Sequence, residues 1–233
     1  MKRMDLYWDN TPKIFYTDKM LSLQTGSTSK GNQAKWYDKK SDCYVKGQFF
    51  YQDKYWRDDL VERIAVTIGK QLPLDDKNVD ILEQNLCIID TGYQQLRGVF
   101  SSNFCGEGEQ YVSFYRIMQS CKMEFPVLGT IKEKWDFVLD LLKKITGIDC
   151  TDYFIVMFIL DFLVGNEDRH LGNFGVITNE HGFRLAPLFD FGLGLFEHDR
   201  IYEGIALRDC IQKMKCQPFA KQNLDVPVSY THL

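Results

Sequence analysis

Leu163-Val-Gly-Asn-Glu-Asp-Arg-His-Leu-Gly-Asn-Phe174 and, a little further on, Phe189-Asp-Phe-Gly192 decide how this chain is read. Asp168 and Asn173 stand five positions apart in what reads as a polar loop, and Asp190 follows in the second segment. Transfer of a phosphoryl group to a hydroxyl asks for this set. One carboxylate accepts the hydroxyl proton, while an amide and a second carboxylate hold a metal ion against the phosphates. The surroundings give the set its context. Tyr153 to Val164 is an apolar run of helical length that leads into the loop. Phe174-Gly-Val-Ile177 and Phe183-Arg-Leu185 read as short strands around a turn at Asn179-Glu-His-Gly182.

Asp-x-x-x-x-Asn followed by Asp-Phe-Gly is the spacing of protein kinases, and helix, loop, hairpin, Asp-Phe-Gly is the order of a kinase C-lobe. Gly165-Asn-Glu-Asp-Arg-His-Leu-Gly-Asn173 and Ala186-Pro-Leu-Phe-Asp190 resemble the C-lobe core of HipA-like bacterial serine/threonine kinases. The likeness is to the compact CtkA type, which lacks the N-terminal domain of HipA itself. It is strong over about 30 residues and looser over the N-terminal hundred. The resemblance implies an α+β, protein-kinase-like two-lobed fold with a truncated C-lobe. It implies ATP and magnesium as cofactors, Asp168 as the base, Asn173 and Asp190 as magnesium ligands, and a protein hydroxyl as acceptor. A DNA-binding antitoxin is the partner it suggests. Phosphoinositide kinases also combine Asp-Arg-His-x-x-Asn with Asp-Phe-Gly, so a lipid or small-molecule acceptor is the alternative. A non-catalytic pseudokinase acting as a toxin-associated binding module is a third reading.

With 233 residues, 45% hydrophobic and 14% aromatic, the chain can build one two-lobed domain with a substantial core. A net charge of -4 with scattered Lys and Arg lacks the basic footprint of a nucleic-acid binder. Seven cysteines, an odd number without Cys-x-x-Cys spacing, indicate neither a zinc site nor a disulfide framework. No signal-peptide pattern opens the sequence, and the longest apolar run is short for a membrane span and contains Asp161. A cytoplasmic protein is the expectation.

Residues 1–100 read as the N-lobe and 101–226 as a partial C-lobe. Pro227 to Leu233 resembles a translated sequencing-library adapter. Leu60, Val61, Ile64, Ala65, Ile68 and Leu72 form one stripe of a helix from Asp58, stopped by Pro73. Strands are expected at 35–37, 43–46, 86–89 and 96–100, with the crossing between lobes at Phe100 to Ser102. Phe100 and Ser102 are accordingly expected to touch the nucleotide. Thr130-Ile-Lys-Glu133 is a capping box, opening a helix with Ile131, Trp135, Val138, Leu142 and Ile145 on one face.

On the nucleotide side, Gly26, Ser27, Thr28, Ser29, Lys30 and Gly31 form a small-residue segment whose amides could cradle phosphates. Lys46 ends Cys-Tyr-Val-Lys, comparable to the Val-Ala-Ile-Lys strand of kinases, and Glu62 is its natural partner on the helix. Lys35 is the alternative lysine. Arg169 is a candidate for orienting the catalytic loop, and His170 for packing beneath it or stabilising charge.

The resemblance also implies regulation, because HipA-like kinases are inactivated by autophosphorylation in the corresponding loop. Each phosphate adds about 1.5 to 2 negative charges, which would repel a nucleotide there. Phosphosite mapping after incubation with ATP should find modification at Ser27, Thr28 or Ser29, with ATP binding lost. The alternative is that these hydroxyls only supply flexibility and hydrogen bonds; modification confined to other segments, or a modified loop with undiminished ATP binding, would rule the regulation out.

Overall fold

The computed structural model describes residues 12–23, 33–51, 54–74 and 78–195, together with 204, 206, 208–209, 216 and 218–219. In chain order the elements are β1 (Lys13–Tyr16), a 3-10 turn (Thr17–Lys19), β2 (Leu21–Ser22), β3 (Lys35–Asp38), β4 (Cys43–Gly47), β5 (Phe50–Tyr51) and β6 (Lys54–Tyr55). Then come α1 (Asp58–Gly69), β7 (Asn85–Asp90), β8 (Gln95–Ser102), β9 (Gln110–Ser113) and α2 (Phe114–Ser120). The C-terminal part adds α3 (Ile131–Thr146), α4 (Thr151–Val164), β10 (Gly175–Asn179) and β11 (Gly182–Leu185).

Six strands form one sheet in the order β1-β7-β8-β4-β3-β2. Alternation along these strands gives the sheet two different faces. The register sets Trp36, Val45 and Phe100 in one row, and they pack with Phe15, Cys87 and Ile89 in a small core. The next row, Lys35, Lys46 and Val99, faces the opposite way. Helix α1 lies against this sheet through β7 and β8. Close approach of β4 and β8 depends on Gly98, where a Cβ would overlap the Lys46 carbonyl oxygen.

The second lobe is built on helices α2 to α4 and the sheet β11-β10-β9. Val138, Leu142, Phe154, Met157, Leu160, Phe114 and Phe174 fill its core. Both halves of the Thr130–Glu133 capping box form, and α3 ends at Gly147 in the left-handed conformation that glycine tolerates (φ 76°). The two lobes are tied where Leu82 N donates to Leu188 O (2.9 Å) and Leu188 N to Asp80 O (2.7 Å).

Several expectations shift. Helix α1 stops at Gly69, short of Leu72, because the chain leaves the helix in a turn before Pro73. Ile131 and Ile145 at the ends of α3 are exposed, and Leu141 takes a place in the core instead. Helix α4 is apolar at nearly every position after its first turn, Asp161 apart, yet Ile155, Ile159, Phe162 and Leu163 on one flank are exposed. Strand β8 runs on through Ser102, paired to Cys43, so the crossing between lobes falls on 103–109. Strands β1, β2, β5, β6 and β9 and helix α2 are additional. The segment 227–233 lies outside the described residues. Among the described residues, no helix is long and apolar enough to cross a membrane.

One polar cluster sits inside the C-terminal core. Arg169 donates to both carboxylate oxygens of Asp161 on α4, through Nε and Nη2, each at 2.8 Å, and both residues are fully buried. Asn166 Nδ2 adds a third donor to Asp161 (2.8 Å). Removing one partner of a buried pair leaves the other charge uncompensated. Asp161→Asn should therefore lower the unfolding free energy by about 3–5 kcal/mol in urea denaturation. A loss indistinguishable from that of the exposed Leu128→Ala would refute the role given to this pair.

Candidate active site

The loop that carries Asp168 and Asn173 is fixed from below. Asn166 Oδ1 accepts from Asp168 N (3.1 Å), His170 N donates to Asp168 O (2.8 Å), and Asn173 N to His170 O (3.0 Å). Arg169 Nη1 reaches Asn173 O (3.0 Å) and Phe189 O (2.7 Å), so one guanidinium holds both the loop and the Asp-Phe-Gly segment. Its ring neighbour is Phe191, 4.8 Å from the guanidinium carbon. Burial alone would lower the Arg169 pKa, but the Asp161 carboxylate outweighs it and raises it. The backbone here points the side chain of Asp168 outward, where it is 41% exposed.

Asn173 is nearly buried and uses only half of its amide. Its Nδ2 donates to Asp168 O (3.1 Å), while Oδ1 has no hydrogen-bond partner. Buried polar atoms are rarely left so, and an orphaned oxygen of this kind is what a metal ligand needs before the metal binds. Asp190, at a positive φ of 65° uncommon for a side chain with a Cβ, supplies a carboxylate that is 24% exposed. Among the described residues no cluster of three His, Cys, Asp or Glu side chains gathers for a metal. An amide oxygen plus one carboxylate nonetheless fits magnesium, which keeps waters and takes its remaining ligands from phosphates.

From the opposite lobe, Lys46 Nζ meets Glu62 Oε1 at 2.7 Å and Asp190 Oδ1 at 2.8 Å. Glu62 is buried, and its second oxygen accepts from Phe191 N (3.1 Å). Helix α1, strand β4 and the Asp-Phe-Gly segment thus close on one another through three side chains. Desolvation would push the Asp190 carboxyl up, but Lys46 and Lys35 outweigh it and hold it well below the usual carboxylate range. Lys35, the alternative lysine, pairs in register with Lys46 on the neighbouring strand, and both line the same cleft. His170 accepts from Gly172 N through Nδ1 (3.0 Å) and lies 3.9 Å from Asp168 Oδ2 through Nε2. Burial, only partly offset by Asp190, lowers its pKa, which favours the neutral imidazole.

The cleft between the lobes has a volume of about 500 Å³, within the ordinary range for a small-molecule site. Its lining includes Lys35 and the ion-paired Lys46 and Asp190, and an apolar patch in which Leu82, Phe104, Tyr111 and Phe189 pack together. Phe100 and Ser102 do not line it. They stand opposite Val45 and Cys43, on the wrong face of the sheet, and Ser101 turns to the cleft in their place. Gly26, Ser27, Thr28, Ser29, Lys30 and Gly31 lie outside the described residues. Their flanks are β2 and β3, with Leu23 and Lys35 on the cleft.

Asp58, at the start of α1, is a site neighbour that nothing in the sequence singles out. Buried, it accepts from Phe49 N (2.9 Å) and from the Gln33 side chain. Burial raises its pKa to about 7; the Phe49 bond and Lys46 oppose the shift, while Asp59 and Glu62 add to it. A pKa above the unfolded value means that the native state binds the proton more tightly. The stabilisation is present below about pH 4 and is lost as pH rises through about 7. Asp58→Asn should therefore gain stability relative to the parent between pH 4 and pH 8. The gain is about 1.4 kcal/mol for each pH unit that separates the folded and unfolded pKa values. Denaturation curves at both pH values test this, and parallel pH dependences would contradict it.

No family model matches the chain. The serine/threonine-protein kinase CtkA of Helicobacter pylori is 44% identical over 46 residues, which are 19% of this chain and 14% of that protein. The match thus spans about one seventh of the relative's length. The crystal structure of the H. pylori proinflammatory kinase CtkA superposes with a TM-score of 0.63 at 19% identity, over 92% of this chain and 74% of that one. A complex of HipA and HipB with operator DNA from Shewanella oneidensis aligns over 94% of this chain and 50% of that chain, at 15% identity and a TM-score of 0.45. The chain thus shares the fold of that CtkA structure, with part of the relative's length unmatched.

Proposed function

We propose that the chain is the catalytic core of an ATP-dependent serine/threonine kinase of the HipA-like type, which transfers the γ-phosphoryl to a protein hydroxyl. The observation that carries this reading is the convergence on one cleft of the Glu62–Lys46–Asp190 chain and the unpartnered Asn173 Oδ1. A structural ion-pair network accounts for the first but not for a buried amide oxygen left open beside it.

In this reading the base of the nucleotide lies against the apolar patch of the cleft and its phosphates beside the lysines. Lys46, steadied by Glu62, and Lys35 beside it neutralise phosphate oxygens. Asn173 and Asp190 are the residues that would hold magnesium, whose contribution when bound is to offset charge on the phosphates. Asp168 orients the acceptor hydroxyl and takes its proton as the oxygen attacks the γ-phosphorus and the bond to the bridging oxygen breaks. Such transfer needs little covalent chemistry from the protein, and positioning and electrostatics supply the rate. Arg169 acts through the backbone of the loop and is a positioning residue.

Asp168→Asn should lower magnesium-dependent phosphoryl transfer by about 10²–10⁴-fold, as loss of a general base does, in a protein that still folds, and Asp190→Asn should lower it by removing a magnesium ligand. Parallel assays with protein and lipid acceptors separate the two acceptor classes. Near-parental turnover by a folded Asp168→Asn variant would overturn the assignment. ATP binding without turnover on any acceptor would favour the pseudokinase.

A further inference from the structure

Residues 103–109, which carry the chain from β8 to β9, contain Gly106 and Gly108, the latter at φ +73°. A segment with two such residues has wide conformational freedom unless something fixes it. Local bonds do part of this: Asn103 N donates to Asp42 O (2.8 Å) and Cys105 N to Asn103 Oδ1 (3.1 Å). The Phe104 ring packs on Tyr111 and Phe189, and the remaining side-chain bonds come from Glu109 and Arg184. Glu109 Oε2 accepts from Gly106 N (2.7 Å), which closes the turn on itself. Arg184, reaching across from β11, donates through Nε to Glu109 Oε1 (3.0 Å) and through Nη2 to Glu109 Oε2 (2.5 Å) and Phe104 O (2.7 Å).

This is a forked guanidinium–carboxylate contact with a backbone carbonyl in the same grip, a geometry more specific than an ordinary surface pair. The Arg184 bonds hold the Glu109 carboxyl down at about 2, so the charge pair is intact throughout the range in which the protein would be assayed. The segment so held is a wall of the cleft. Phe104, Cys105, Gly106, Glu107 and Glu109 all line it, and Phe104 stacks on Phe189 with centroids 5.8 Å apart. Arg184 itself does not line it.

We propose that Arg184, through Glu109 and the Phe104 carbonyl, is a positioning residue that presets the interlobe segment for the ligand of the cleft. The inference rests on the reading of the cleft as a nucleotide site for the identity of that ligand, but not for the ordering of the segment. A wall already in its bound shape spares the ligand the ordering of those residues, so the effect belongs in affinity more than in turnover.

The test compares the parent with Arg184→Ala, Arg184→Lys, Glu109→Gln and the double variant Arg184→Ala/Glu109→Gln. Amide hydrogen exchange over 103–109 is followed in the ligand-free protein, and affinities for ATP and ADP with magnesium are measured alongside. Arg184→Ala and Glu109→Gln should each speed exchange over 103–109 and weaken nucleotide binding by about 3- to 30-fold, raising KM far more than they lower kcat. Lysine keeps the charge but not the fork, so Arg184→Lys should fall between. The double variant should be little worse than either single one, because both break one interaction. Unchanged exchange over 103–109, or losses that multiply in the double variant, would overturn the proposal. So would exchange that rises while affinity stays the same, since the clamp would then be structural only. If the parent binds neither ATP nor ADP, the nucleotide reading fails, and the ligand-free exchange still decides whether Arg184 orders the segment.

Discussion

The buried guanidinium of Arg169 is the constraint on which the rest of the site depends. A charge without solvent must find its partners inside the protein, and here they come from three places: Asp161 on α4, the Asn173 carbonyl and the Phe189 carbonyl. Satisfying it therefore fixes the Asp168–Asn173 loop and the Asp-Phe-Gly segment to the same helix. Such a cluster is a poor source of net stability, since desolvation offsets much of its Coulomb energy. Its value lies in specifying one arrangement. Asp168, Asn173 and Asp190 then inherit positions set by backbone atoms that have no freedom to drift.

The opposite wall is set by the pleat. Lys46 and Lys35 share one row of the sheet and line the cleft, and Trp36 and Val45 share the next row and pack their side chains into the small core. Glu62 connects the two walls, accepting from Lys46 through one oxygen and from the Phe191 amide through the other. Helix α1 consequently cannot shift without pulling on both a strand and the segment that carries Asp190. The coupling of helix position to site geometry is thus written into one carboxylate with two donors.

Much of this is legible in the sequence where a local rule is strong. The Thr130–Glu133 capping box and the short strand at Cys43 to Lys46 are read from neighbours alone, and so is the loop between Gly165 and Asn173. Parity is harder. A crossing expected at Phe100 to Ser102 misses by only a few residues, yet a one-residue change turns a side chain to the other face, and Ser101 holds the place instead. Helix α4 offers no stripe to read, because nearly every position is apolar, so its exposed flank leaves no signal. Asp58 looks like any acidic first-turn residue until Phe49 and Gln33 fold over it. Arg184 sits in a strand of ordinary composition, and its partner Glu109 is 75 residues away in the chain.

Gly98 touches nothing in the cleft, yet its missing side chain has a genetic consequence. The space a methyl group would need is taken by the carbonyl of Lys46. Even alanine would push that strand outward and carry the lysine with it. Under the proposed activity, a screen for inactivating mutations would thus recover Gly98 alongside Lys46, and its hits would outline the backbone that aims the charges as sharply as the charges themselves.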